Sequence, residues 1–484
     1  MNIDKYIVAG YLLLVVLISI ISIKKNLKGS ATEFMTGGRH LPWWKTGMTL
    51  IAMMFDPGIM GISSLAFVWG FYVVQWNAVN IWITSWFAGM FIIGIYWRSK
   101  IVTTPEYLEK RFNSFTRGFF SIIMTAMLIS LLAYAVYMGG VLLNRFLGWP
   151  IWINISVLLI ITSFYVIFGG LKTMLFMDVL QGILLLATLF TVGIVGFVLL
   201  DGFEGIRALE LTGKGGTPLN SLIPPYDWNL KSGVYYPLPG VISFAAIAGL
   251  SWIICNFSMA QRLLAAKDEI NAQKSLIMAG VFNVFVMFLA YMAGVAVRKL
   301  IADGIMPEMQ PDEAFIELLL NYFPIGVRGL LVVGLIAALL STIDGLIASS
   351  ASLLTHDFYH KHIRKGASDK HLKNVTRIVQ VLVVLSVFLI VPSFLSDGDT
   401  AGKTPAYELV QRFLGNIYGV LIAIYILGIM FKRATANASL IGMVIGVAMG
   451  FTLDLSTDLN FAFIGTLQFI VVMVFALWFS RFET

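Results

Sequence analysis

The chain has 484 residues, of which 58% are hydrophobic and only 12% charged. Soluble domains sit near half apolar and a quarter charged, so a soluble globular protein is excluded. The formal net charge of +7 comes without a basic, aromatic-interleaved segment standing apart from the apolar runs, which argues against a nucleic-acid partner.

Apolar runs long enough to cross a bilayer are expected near residues 4–22, 45–70, 75–97, 118–146, 150–168, 174–200, 239–261, 273–297, 326–354, 377–395, 407–431, 437–456 and 460–480. The first is expected to be a retained helix and not a secretory signal. Its basic cluster, Lys24, Lys25 and Lys28, follows the apolar stretch instead of preceding it, and no small-residue cleavage site is evident. The single cysteine, Cys255, lies inside an apolar run and has no internal disulfide partner. The chain stops at Thr484 directly after the last run, so no appended output domain is expected.

Charge alternates between successive loops. One set, which includes Lys24, Arg98, Lys110, Arg111, Arg117, Lys172, Arg262, Lys267, Lys361, Arg377, Lys432 and Arg481, holds 23 of the 33 lysines and arginines. The positive-inside rule puts that set in the cytoplasm. The N-terminus is then outside and the C-terminus inside, which requires an odd number of spans, and thirteen satisfies it. Two outside loops are long, near 201–238 and 298–325. They read equally as a cap over an external vestibule or as solvated connectors. His356, His360 and His362 read as part of a solvated basic loop, because no cysteine or carboxylate cluster completes a ligand set.

A charged side chain at mid-membrane costs at least ~2.5–3.5 kcal/mol. Asp56, Asp178 and Asp344 are the carboxylates deepest within these runs, so each is a candidate functional residue. Asp56 precedes Pro57-Gly58. Proline lacks a backbone donor, and carbonyls freed inside a bilayer persist where they line a cavity or bind an ion. A helix broken at mid-membrane is a common binding device of secondary transporters. Downstream, Ala338, Ser341, Thr342 and Gly345 share one helical face. Such a stripe serves tight helix packing or supplies oxygen ligands to a hard cation.

Three stretches resemble the sodium:solute symporter family: Thr104-Pro105-Glu106-Tyr107-Leu108-Glu109-Lys110-Arg111-Phe112; Gly169-Gly170-Leu171-Lys172 with Asp178-Val179-Leu180-Gln181; and Gln261-Arg262-Leu263-Leu264-Ala265-Ala266-Lys267 after Trp252 and Asn256. Weaker echoes follow at Ser341-Thr342 through Asp357 and at Gly428–Arg433, all in family order. The resemblance implies an all-α membrane fold of the LeuT type. One transporter domain would span 1–484, with an extra N-terminal helix (4–22), two inverted five-helix repeats (45–200 and 239–431) and two C-terminal helices (437–480). It implies no enzymatic activity and no organic cofactor. The expected localisation is a bacterial inner membrane, and the working unit a monomer in the lipid bilayer. The cargo it implies is a small polar solute: a sugar, sialic acid, amino acid, amine or carboxylate.

Carried over residue by residue, the resemblance implies a principal sodium site at Ala52, Phe55, Ala338, Ser341 and Thr342. It implies a second sodium site at Asp178, Ser341, Asp344 and Gly345. The family often has serines at the last two positions, and a threonine where this chain has Met177. Solute or gate positions fall at Asp56, Gln75, Gly249, Trp252, Asn283 and Gln411. Gly249 stands where asparagine is usual and Asn283 where lysine is usual in the galactose symporter, so sugar specificity does not transfer. The competing readings are a proton-coupled symporter using Asp56, Asp178 or Asp344, a channel, a transporter-like sensor and a membrane enzyme. The chain shows no Ser/His/Asp or metal-ligand set within the spans to support the last.

Overall fold

A computed structural model of the chain describes residues 2–26, 38–54, 58–74, 80–99, 101–223, 240, 242–243, 245–395 and 405–483. Phe55, Asp56 and Gln75 lie outside the described residues. The architecture is almost entirely helical, and nine helices among the described residues are long and apolar enough to cross a membrane.

Local chemistry sets the helix boundaries. Asn113 caps Ser114–Leu147 by accepting from the Thr116 amide at 2.9 Å, and Gly148 ends it in the left-handed conformation (φ 76°). Asp268 caps Glu269–Ala302 by accepting from the Asn271 amide. Pro105 opens the short helix Thr104–Arg111, where a missing amide costs nothing.

Four expected spans take a different form. The runs near 150–168 and 174–200 make one helical stretch, Ile151–Leu199, broken at Gly170 (φ 64°, ψ −174°). Glycine tolerates that φ because it has no Cβ. An unbroken helix of 49 residues would extend ~74 Å, more than twice the ~30 Å hydrocarbon core. The expected 239–261 span instead contains π-helical turns, Ala245–Gly249 and Ser251–Cys255, and a stop at Asn256. There the extended backbone lets the Asn256 side chain accept from the Ser258 amide and start a new helix, Phe257–Leu264. The 45–70 run divides into Trp43–Met54 and Gly58–Trp69.

Val327–Ser352 is the central helix. Within the span that contains it, 94% of the most apolar window is buried, against 22% for the span Asp369–Leu395. It packs on Ile151–Leu199, Ser114–Leu147, Trp43–Met54 and the N-terminal helix Asn2–Asn26. Asp4 pins that N-terminal helix to it by accepting from the Gly326 amide at 2.6 Å and from the Arg328 guanidinium. Large apolar side chains such as Leu13, Ile160, Leu389 and Val474 stay exposed on outer faces, where lipid replaces water as the solvent.

Candidate ion and solute site

The stop at Asn256 has a chemical consequence. It aims the Phe257–Leu264 helix inward, so that Arg262, expected among the cytoplasmic loop bases, is fully buried. Its Nε donates to Asp178 Oδ2 at 3.0 Å, and its Nη2 lies 2.9 Å from the same oxygen. Nη2 also donates to the Ser341 carbonyl at 3.2 Å and stands 3.5 Å from Asp344 Oδ1. Nη1 donates to the Ser258 carbonyl and hydroxyl, both at 3.2 Å. The Ser341 hydroxyl donates to Asp178 Oδ1 at 2.5 Å, and the Tyr165 hydroxyl donates to Asp344 Oδ2 at 2.9 Å. Asp178 and Asp344, singled out because charge is costly at this depth, therefore meet across the interface between Ile151–Leu199 and Val327–Ser352. A buried pair holds only with good geometry and hydrogen bonds, and Arg262, Ser341 and Tyr165 supply them to every carboxylate oxygen but Asp344 Oδ1 among the described residues.

Of the residues carried over for a principal ion site, Ala52, Ala338, Ser341 and Thr342 lie on two helices that pack together. Trp43–Met54 carries Ala52 in its last turn. The central helix packs against it. Ala338, Ser341 and Thr342 are buried there, and the Thr342 hydroxyl finds no hydrogen-bond partner among the described residues. An unpartnered buried hydroxyl is costly, and a bound cation would satisfy it.

Of the solute positions, Asn283 is fully buried and neither atom of its amide finds a partner among the described residues. Gly249 is buried at the end of the first π-helical turn, Trp252 is half-buried in the second, and Gln411 is buried near the start of Ala406–Met430. Ala406–Met430 packs on both π-helical turns.

A second buried arginine lies toward the expected cytoplasmic face. Arg117 Nε donates to Asp357 Oδ1 at 2.9 Å, and its Nη1 reaches Glu109 Oε2 at 2.5 Å. Thr103 and Ser121 hydroxyls complete the Asp357 carboxylate at 2.7 and 2.9 Å. Lys361 closes on Glu109 Oε1 at 2.9 Å. Although burial alone would raise it, the Lys361 and Arg117 contacts hold the Glu109 carboxyl below its usual range. Among the three histidines, His356 and His360 are half-buried and His362 is exposed.

Residues 34–446 match the model of the sodium:solute symporter family. The chain belongs to that family. A sodium/glucose cotransporter of Vibrio parahaemolyticus is 26% identical over 450 residues, covering 88% of this chain and 79% of the relative. A sodium/myo-inositol cotransporter of Canis lupus familiaris is 27% identical over 480 residues, covering 92% of this chain and 66% of its own length. The fold is that of a Na+-coupled sialic acid symporter solved substrate-bound and outward-open, with a TM-score of 0.86, 19% identity, and coverage of 99% of this chain and 98% of that one. As a member, the chain is a sodium-coupled symporter of a small solute, a multi-pass membrane transporter and not an enzyme.

Sequence reasoning found Asp178 and Asp344 but missed their partner. The signal was present in Gln261-Arg262 directly after the Asn256 cap. The Gln261 side chain confirms the inward direction, because its Oε1 accepts from the Ser349 hydroxyl at 3.1 Å on the central helix.

Proposed function

We propose that this symporter imports a small polar organic solute together with sodium by alternating access, as a monomer across a bacterial inner membrane. It would use thirteen spans, with the N-terminus outside and the C-terminus inside, and inverted repeats over 45–200 and 239–431. The positive-inside distribution supports that orientation. The principal sodium site is assigned to the carbonyls of Ala52, Phe55 and Ala338 with the hydroxyls of Ser341 and Thr342. The observation that carries it is the Thr342 hydroxyl, buried and unpartnered among the described residues on a helix packed against a broken one. Oxygen donors from a helix end and a hydroxyl face suit a hard cation.

The solute is assigned to Asp56, Gln75, Gly249, Asn283 and Gln411, with Trp252 as the inner gate. The unpartnered Asn283 amide supports a hydroxyl- or amine-bearing solute, since it offers donors and an acceptor from a dry site. Asp56 is the one carboxylate in the set, and it would pair with an ammonium group or accept from solute hydroxyls. The likeness to carriers of glucose, myo-inositol and sialic acid supports a solute of similar size and polarity.

The test is a thermal-shift and counterflow screen of purified protein against sugars, sialic acids, amino acids, amines and carboxylates, with and without sodium at fixed pH. Sodium should raise the melting temperature by mass action, and joint Ser341→Ala and Thr342→Ala should remove that rise. An undiminished rise would displace the principal site. Asp56→Asn should abolish binding of an amine solute while leaving the sodium effect. Loss of the sodium effect alone would give Asp56 to the ion.

A further inference from the structure

We propose that the Arg262 guanidinium is a fixed cation standing where Asp178, Ser341, Asp344 and Gly345 would otherwise hold a second sodium ion, so that this chain binds one sodium and no more. The inference rests on the sodium-symport reading above and adds the stoichiometry.

Three observations carry it. The first is occupancy. Both carboxylates of the group face the guanidinium, at 2.9 Å from Asp178 and 3.5 Å from Asp344, and the Ser341 carbonyl accepts from it at 3.2 Å. The Ser341 hydroxyl is turned to Asp178 at 2.5 Å. A metal ion needs several of these oxygens at once, and the arginine holds them.

The second is space. A Cβ on Gly345 would lie 2.7 Å from Arg262 Nη1, 2.8 Å from Nη2 and 2.9 Å from the Ser258 hydroxyl. Real Cβ atoms do not approach that closely, so any side chain at 345 collides with the guanidinium. The residue that fails to supply an ion ligand is the residue that admits the arginine.

The third is charge. Among the described residues, two fully buried carboxylates face one guanidinium, which with both ionised leaves one negative charge. Asp344 Oδ1, 3.5 Å from Arg262 Nη2, makes no hydrogen bond among the described residues. Thr342, two residues from Asp344, carries the unpartnered hydroxyl of the principal site. One sodium ion there brings the group to neutrality. A second would leave an excess positive charge in a low-dielectric interior, where uncompensated charge is strongly disfavoured. The balance is drawn over the described residues, which do not include Asp56.

The experiment is equilibrium binding of radioactive sodium to the purified protein without solute, counted per chain. The expected result is one sodium per chain with non-cooperative saturation. Two per chain in the native protein overturns the inference and leaves the symport reading intact, whereas none overturns both. The double variant Arg262→Gln, Gly345→Ser vacates the guanidinium and restores a hydroxyl ligand, so it should bind two. A folded double variant, judged by a single symmetric elution peak, that still binds one would show that the arginine is not what excludes the second ion. If that variant does not fold, the native count still decides.

Discussion

Among the described residues, the chain buries two arginines, each between two carboxylates, and the two clusters differ by one charge. At the expected cytoplasmic face, Arg117 and Lys361 face Asp357 and Glu109, and the balance is even. In the core, Arg262 alone faces Asp178 and Asp344, and one positive charge is missing. The even cluster has hydroxyl donors on both oxygens of Asp357, whereas the uneven one leaves Asp344 Oδ1 without a donor among the described residues. A buried arginine therefore serves different ends. A neutral, saturated cluster fastens helices to each other. A cluster one charge short is a structure completed by its cargo.

Removing each arginine should break this comparison most sharply. Losing one partner of a buried pair costs ~3–5 kcal/mol, so Arg117→Gln and Arg262→Gln should both melt well below the native protein in sodium-free buffer. They should then diverge. Arg117→Gln leaves the core intact and should keep only the native response to sodium. Arg262→Gln exposes two carboxylates to the ion, and saturating sodium should restore roughly 3 kcal/mol, as for a ligand at about 100 times its dissociation constant. Melting temperatures of both variants across a sodium titration check this, and parallel curves would erase the distinction between the clusters.

How much of this was legible beforehand follows from the same residues. Hydropathy and loop charge report which segments are apolar and which ends are wet, so the Ser114–Leu147, Glu269–Ala302, Ala406–Met430 and Ala436–Ser456 helices fall within a few residues of expectation. Asp178 and Asp344 stood out because a carboxylate in an apolar run is costly wherever it points. Arg262 and Arg117 did not, because a base at the end of an apolar run looks like a topology signal whether it faces water or folds inward. Asp4, Asp312 and Asp357 are also buried although they lie at segment ends or in loops. Their burial depends on backbone amides and hydroxyls brought from far along the chain, which no local pattern encodes.

Glycine contacts sharpen the comparison at smaller scale. Gly345→Ala forces a methyl group against the Arg262 guanidinium, and overpacking of this kind costs ~1–3 kcal/mol. Gly118→Ala, one residue after Arg117, meets only the exposed ring of His362 at 3.2 Å. Within a helix that change also gains up to ~1 kcal/mol of intrinsic propensity. Gly345→Ala should thus lower the melting temperature and Gly118→Ala should leave it unchanged or raise it. The reverse order would mean that the guanidinium has room to move and does not depend on Gly345.

The smallest expected effect extends the comparison to the expected outer face, where a buried carboxylate has no cation among the described residues. Asp312 sits in the turn Pro311–Glu313 of a loop expected on the outside, and its Oδ2 accepts from the Ala406 amide at 3.1 Å, at the start of Ala406–Met430. No basic side chain lies within ion-pair distance of it among the described residues. Burial pushes its pKa up to about 6, with Glu313 adding to the rise and the Ala406 amide and Ser64 hydroxyl opposing it. In the unfolded chain the value returns to about 4. The folded state then holds a proton that the unfolded state has released between about pH 4 and 6. Its stabilising contribution is fully present below that window and is lost as pH rises through it. Between pH 5 and 7 the loss should amount to about 1 kcal/mol, or a degree or two in melting temperature for a chain of this size. Asp312→Asn keeps an acceptor for the Ala406 amide and has no proton to lose, so its melting temperature should fall less over the same interval. Superimposable pH profiles would mean that the Asp312 carboxyl is ionised throughout, and that the outer loop finds the missing cation from solvent.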